Sequence, residues 1–324
     1  MNHKTKSQFK WKQKYTIPLI LLVMWIFLSI AADKFFTVSN IMNLLRQTSV
    51  LGVCAVGATC VILSGETDLS LGAIMGVVGM VVAKLMVSGV PILVALLIGV
   101  AVGALCGTIN GVIIQTTGIP SFICTMGTMT AYRGIAQLIS SGKTIANLPA
   151  AFGDFSAKSF LNIPYLAWLF FIVAVVGQLV LYKTVFGRKI YAVGSNPAVA
   201  ELSGISVKKT SISVFAIAGA LAGVAGIMYA VRMAQGFTSA GSGYELNCIA
   251  SAVIGGASLG GGEGSIIGTV VGCFIIQTLQ NGGNLLKISS FWLDVVTGIV
   301  LVVAVAFICA ILPHGLARKS TANT

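Results

Sequence analysis

The chain reads as an all-α protein, a bundle of about ten membrane-spanning helices, some of them short or broken. Three observations carry that reading. Of the 324 residues, 56% are hydrophobic and only 9% are charged, where a soluble domain carries about 25% charged residues. The mean hydropathy is +0.98, and the apolar residues fall in long runs separated by short polar stretches. Glycine contributes 38 residues, which suits helices that approach closely inside a membrane. Together these make one polytopic membrane domain spanning residues 1–324. It has a basic tail at 1–16, a polar loop at 183–210 and a second tail at 313–324.

The segments follow in order. Met1–Lys14 carries five lysines and gives way to the apolar run Ile17–Ala32. That pattern fits either a retained first helix or a cleavable secretory segment, and its basic start places the N-terminus in the cytoplasm. The next helix covers Gln47–Ser64 and stops at SGETDLS, and another restarts near Leu69 and runs to Val87. Further helices are expected at Ile92–Gln115, closed by TTGIP, and at Ser121–Ile139. Residues 140–163 form a polar loop with room for a short helix, and Pro164–Tyr182 is the next span.

The stretch Lys183–Lys209 is the longest polar interruption after the N-terminus. Beyond it come Ser211–Val231, a polar loop, and Tyr244–Ala257, which is too short to cross a bilayer alone. That run breaks at SLGGGEGS. Ser265–Gln280 follows, then an outer turn NGGNLLKISS, then Phe291–Leu312. Twelve Lys and Arg lie in the segments this assigns to the cytoplasm, including Arg318 and Lys319, against six in the outer loops. The bias agrees with the positive-inside rule.

The two broken regions resemble each other. Ser64–Ser70 and Ser258–Ser265 each separate an apolar helix from one with a GxxxG spacing, Gly72/Gly76 and Gly268/Gly272. Paired interrupted segments in two halves of a transporter point to a path at the repeat interface. A shared glycine-rich composition would produce the same likeness, so both readings stand.

Several functions are excluded. A net charge of +12 could suggest nucleic acid, but no basic patch is interleaved with aromatics, and the charge sits at segment ends. Seven cysteines occupy apolar runs without a CxxC spacing, which argues against a disulfide framework or a metal site. The histidines, His3 and His314, lie at the two ends, so no Ser/His/Asp set or metal-bound water can be built. Ser141-Gly142-Lys143-Thr144 mimics the end of a phosphate-binding loop, but Gln137 stands where its first glycine belongs. No catalytic residue, metal or cofactor is expected, and any ATP would be bound by a partner subunit.

Within Lys183–Lys209, Asn196-Pro197 is a helix start, with an N-cap residue before a proline at the first helical position. Pro197 through Ser203 make a short helix and Gly204 stops it. Ala200 and Glu201 lie on it. This is either a surface helix or an element that docks a cytoplasmic ATPase.

The fragments ILSGETDLSLGAIMG, TMGTMTAYRGIAQLISSGKTI and GSNPAVAELSGISV occur in that order. GYELNCIASAVIGGASLGGGEGSIIGTVVG and FWLDVVTGIVLVVAV follow them. From about Phe36 to Val305 the chain thereby resembles the permease subunits of bacterial ribose/xylose/galactose-type ABC sugar importers. The resemblance implies a plasma-membrane protein working as a pair, with a second copy or a paralogous permease. It also implies a cytoplasmic ABC ATPase and an extracytoplasmic sugar-binding protein as partners. Asn196, Pro197, Ala200, Glu201 and Gly204 would then form the coupling helix. Glu66 departs from the family pattern and bears on which solute is carried. Pentose, hexose, polyol and autoinducer-2 all remain open.

Polar residues inside the apolar regions are the candidates for the path: Glu66, Asp68, Ser70, Arg133, Asn281 and Asn284. Charges in lipid are costly and should face protein or water. Asp68 can alternatively cap the following helix, Arg133 can snorkel to the outer interface, and Glu245 can meet a helix dipole. Asn281 and Asn284 flank Gly282-Gly283 in the expected outer turn. An ion-coupled secondary carrier using Glu66 or Asp68 is the alternative function, and it would have no need of a docking helix.

Overall fold

The computed structural model describes residues 3–311, so the expected C-terminal tail with Arg318 and Lys319 lies outside the described residues. The order is α1 (His3–Ala31), α2 (Val38–Leu63), α3 (Leu71–Val87), α4 (Ile92–Thr117), α5 (Ser121–Ser140) and α6 (Ala150–Asp154). Two short strands follow, β1 (Ser159–Phe160) and β2 (Ile163–Pro164), paired antiparallel. Then come α7 (Tyr165–Lys183), α8 (Val185–Ser195), α9 (Pro197–Leu202) and α10 (Val207–Met233). The last three are α11 (Tyr244–Ile254), α12 (Ile266–Leu285) and α13 (Ser290–Ile311).

Local chemistry sets the ends. Thr37, Thr184, Ser206 and Ser265 each accept a backbone N–H in the first turn of α2, α8, α10 and α12. Prolines 91, 120, 149 and 164 precede α4, α5, α6 and α7. Gly118 ends α4 in the left-handed region. Ser141 and Gly142, the mimic of a phosphate loop, turn the chain out of α5 with φ of 54° and 77°.

Two expectations need correction. The second helix starts at Val38, nine residues before Gln47, because its polar first turns find partners. Asn40 donates to the Phe35 carbonyl and Arg46 Nε to the Ser156 carbonyl, both at 2.9 Å. Residues 281–285 are the end of α12 instead of an outer turn. The glycine pair there is buried against neighbours: a Cβ on Gly282 would sit 2.6 Å from Leu28, and one on Gly283 would run into Leu293.

Helix α2 is the centre of the bundle. Every residue from Thr48 to Leu63 is buried, and α7, α10, α11 and α12 surround it. Helices α4, α7 and α13 turn large aliphatic side chains outward, among them Leu93, Leu97, Ile172, Val175, Val302 and Val303. Five described helices are long and apolar enough to cross a membrane: α2, α4, α7, α10 and α12. The chain is thus an all-α membrane protein.

Lipid tails are as apolar as leucine, so close packing has to hold such helices together. The α4–α10 crossing does this with glycines. A Cβ on Gly107 would run into the Phe215 carbonyl oxygen, and one on Gly219 would lie 2.8 Å from Gly107 Cα. Helix α5 is different. Beside exposed Phe122, Met126, Ile135 and Leu138, its outward surface carries a stripe of Gly127, Thr130, Ala131, Gly134 and Gln137, and a Cβ on either glycine would meet nothing within 4 Å.

Candidate functional site

Helices α8 and α9 form a projection at one end of the bundle. Asn196 joins them without a linker. Its backbone N–H donates to the Ala192 carbonyl at 3.1 Å, ending α8, and its Oδ1 accepts from Val199 N at 3.2 Å, starting α9. Pro197 takes the first helical position. Gly204, at φ +77°, lets Ile205 N reach the Ala200 carbonyl at 3.0 Å and close the C-terminus. Ala200 is buried, which seats the helix, while Leu202 (88%) and Val199 (55%) point away from the bundle with Glu201. Two large apolar side chains are thus exposed beside a carboxylate on one short helix.

The sequence reading overlooked α8, which runs at helical spacing through Phe186, Ile190 and Val193 with Arg188 and Lys189 outside. Gly187 and Gly194 are buried on it. A Cβ on Gly194 would run into the Leu63 carbonyl at the end of α2 and lie 2.7 Å from Gly262 N. Both breaks, 64–70 and 255–265, therefore meet α8. Gly262 N donates to the Leu63 carbonyl at 2.9 Å, and Tyr191 Oη donates to the Gly264 carbonyl at 2.9 Å. Burial raises the Tyr191 phenol pKa, which keeps that proton on the oxygen.

The first break is stitched to α5. Ser121 Oγ accepts from Thr67 N, and Thr125 Oγ1 accepts from Leu69 N, each at 3.1 Å. Asp68 is buried, and its Oδ1 accepts from Ser70 N at 2.8 Å and Ser70 Oγ at 2.7 Å. Ser70 Oγ in turn accepts from Asn110 Nδ2 at 2.8 Å. Tyr132 Oη donates to Asn110 Oδ1 (3.3 Å) and to the Cys106 carbonyl (3.0 Å). Asp68 Oδ2 makes no hydrogen bond. Asp68 therefore holds the turn at Ser70, the N-cap residue of α3, without capping the first amides of the helix, and it is the end of a chain of side chains across α3, α4 and α5. Asn110 and Tyr132 were missed because single polar residues inside apolar helices carry no spacing signal.

Glu66 is half-buried on the same break. Arg133 is elsewhere: its Nη1 donates to the Ala240 carbonyl, and Nη2 stands 3.9 Å from Glu245 Oε2. It does not snorkel. It reaches inward to the loop before α11, where Glu245 Oε1 also accepts from Gly243 N at 3.1 Å. Asn281 is buried in α12 against Asn40, whereas Asn284 is exposed. The structure thus brings Glu66, Asp68 and Ser70 together on one break. Arg133, Asn281 and Asn284 lie apart from it.

Among the described residues no group of His, Cys, Asp and Glu could hold a metal ion. The described cysteines 54, 60, 106, 124, 248 and 273 are free and buried.

A family model described as branched-chain amino acid transport system / permease component matches residues 40–305. The chain is 42% identical over 295 residues to the ribose import permease protein of Bacillus subtilis, covering 90% of this chain and 92% of the relative. It is 39% identical over 297 residues to the D-allose transport system permease protein of Escherichia coli, covering 91% of each. It is 33% identical over 356 aligned positions to the xylose transport system permease protein of Haemophilus influenzae, covering 90% and 95%. No solved structure matches. The chain belongs to this family of ABC-importer permease components, whose ATP hydrolysis resides in separate ATPase subunits.

Proposed function

We propose that this permease moves a monosaccharide into the cytoplasm of a bacterial cell, receiving it from an extracytoplasmic binding protein. The sugar class comes from relatives named for ribose, allose and xylose import. The observation that carries the mechanism is α9, a doubly capped helix that holds Leu202, Val199 and Glu201 clear of the bundle. That surface suits a groove on a cytoplasmic ATPase, with Asn196, Pro197, Ala200 and Gly204 keeping the helix rigid. A rigid element can pass a rigid-body movement into the bundle.

In this reading α1, α2, α3, α4, α5, α7, α10, α11, α12 and α13 are the ten spanning segments of one domain. Alternation from a cytoplasmic N-terminus then puts α8 and α9 inside. This reading retains the first helix, which the bond from Trp25 Nε1 to Thr278 Oγ1 on α12, at 3.1 Å, supports. A second copy of the chain, or a paralogous permease, would cover the outward stripe of α5 that carries Gly127, Gly134 and Gln137, where lipid would leave the Gln137 amide unmatched. Of the path candidates we keep Glu66 as a solute-facing group. Asp68, Ser70, Arg133 and Asn281 act as fasteners, and Asn284 is a surface residue.

The test is uptake of labelled ribose, allose and xylose by cells carrying the chain with its ATPase and binding protein. Ala200→Pro and Glu201→Lys should abolish uptake while the chain still reaches the membrane. Uptake at the parental rate in both variants would remove the docking assignment, and failure of the parent on all three sugars would remove the sugar assignment.

A further inference from the structure

We propose that Tyr191 and Gly194 of α8 are positioning residues that carry a displacement of α9 into both helix breaks at once. The breaks 64–70 and 255–265 are then the moving parts at the cytoplasmic end of the path. This rests on the docking reading of α9 and assigns the next link.

The contacts at this junction are backbone against backbone. A Cβ on Gly261 would lie 2.7 Å from the Gly194 carbonyl oxygen and 2.7 Å from Gly65 Cα. One on Gly262 would run into Ser195 Oγ and lie 2.9 Å from Ser195 Cα. Gly65, Gly261 and Gly262 have φ of +82°, +82° and +72°, so other residues would be strained there as well as crowded. Three remote stretches of chain meet there largely through main chain, with Ser195 Oγ as the side-chain atom nearest Gly262. Side chains can absorb a small shift by changing rotamer, but main chain in direct contact has no such slack, and close-packed interiors transmit strain.

Each side of the junction leads somewhere definite. Toward the partner, α8 and α9 share Asn196 as both stop and cap, so a tilt of α9 is a tilt of α8. Toward the membrane, the first break enters α3 through the Asp68–Ser70 turn, and the second enters α12 through Ser265, whose Oγ accepts from Gly268 N at 3.1 Å. Tyr191 ties α8 directly to the second break, and Gly194 allows the contact with the end of α2. A shift of α8 therefore reaches the starts of α3 and α12 together, which is the order of helix displacement that switches use.

The experiment follows the break itself and needs no transported solute. Gly260 is exposed, with nothing nearer than 3.5 Å to a Cβ there, so Gly260→Cys supplies a reporter. Its maleimide labelling rate is read by mass spectrometry on the peptide containing residue 260. The sample is the complex with the ATPase subunit in liposomes, with and without ATP plus orthovanadate. The parent should show a several-fold difference between the two states. Tyr191→Phe, which deletes one hydroxyl, should remove most of that difference while the ATPase still co-purifies, and Gly194→Ala should do the same if it folds. Tyr182→Phe, on an exposed ring of α7, should leave it intact. A full difference in Tyr191→Phe, or none in the parent, overturns the proposal. If Ala200→Pro removes the difference and Tyr191→Phe does not, only this link falls. If Ala200→Pro also leaves it untouched, the docking reading falls too.

Discussion

Asn40 in the first turn of α2 and Asn281 near the end of α12 exchange two amide hydrogen bonds, of 3.0 and 2.9 Å, across 241 residues of chain. Asn281→Ala should leave the Asn40 amide partly unmatched and cost about 1–3 kcal/mol. Because the two side chains share one interaction, Asn40→Ala with Asn281→Ala should cost less than the sum of the single changes. Denaturation in mixed micelles measures both.

Asp68 uses one carboxylate oxygen to hold Ser70 and leaves the other without a hydrogen bond. Asp68→Asn keeps an acceptor at the first position, so stability and ATP-driven uptake should both survive. Asp68→Ala should destabilise by about 1–3 kcal/mol through the orphaned Ser70 groups. An ion-coupled carrier would instead lose transport in Asp68→Asn, so the uptake assay separates the two.

The α4–α10 crossing should reject volume. Gly107→Val forces Cβ and both methyls into the Phe215 carbonyl region and should cost about 1–3 kcal/mol or more by overpacking. Gly127→Ala on the open face of α5 should be neutral or stabilise by up to about 1 kcal/mol through helix propensity. Thermal unfolding of the two variants side by side checks the contrast.

That same α5 face is where a second copy is proposed. Gly134→Leu has free space within the single chain, so the monomer should keep its melting temperature. The bulk should nevertheless separate two copies, since close helix pairs depend on small residues. Native mass spectrometry should show the dimer lost in Gly134→Leu and kept in Gly127→Ala. An unchanged dimer in Gly134→Leu would place the interface elsewhere.

Much of the fold was legible because it rests on local signals. Ser206, Ser265 and Asn196 cap helices, and prolines and Gly118 bound them, within a few residues of the expected limits, whereas the Thr37 cap of α2 lies well before the expected start. The short helix after Asn196-Pro197 appears with the stop that Gly204 announces. Helix α8 was also within reach, since Phe186, Ile190 and Val193 recur at helical spacing behind the Thr184 cap. It was overlooked because its glycines and basic residues made it read as loop.

The sequence by itself determined the class of the protein, its family and the limits of most helices, because hydropathy, caps and turn residues act over single turns of chain. Only the tertiary structure decided the partners of the polar groups. Ser70 with Asn110, Arg133 with Glu245 and Asn40 with Asn281 are pairings across helices, and a lone polar residue in an apolar run does not say which neighbour will meet it. The same holds for the junction opened by Gly194. Two breaks that looked like a weak repeat along the chain became neighbours of one short helix, because glycine let three backbones touch and left no side-chain pattern to read.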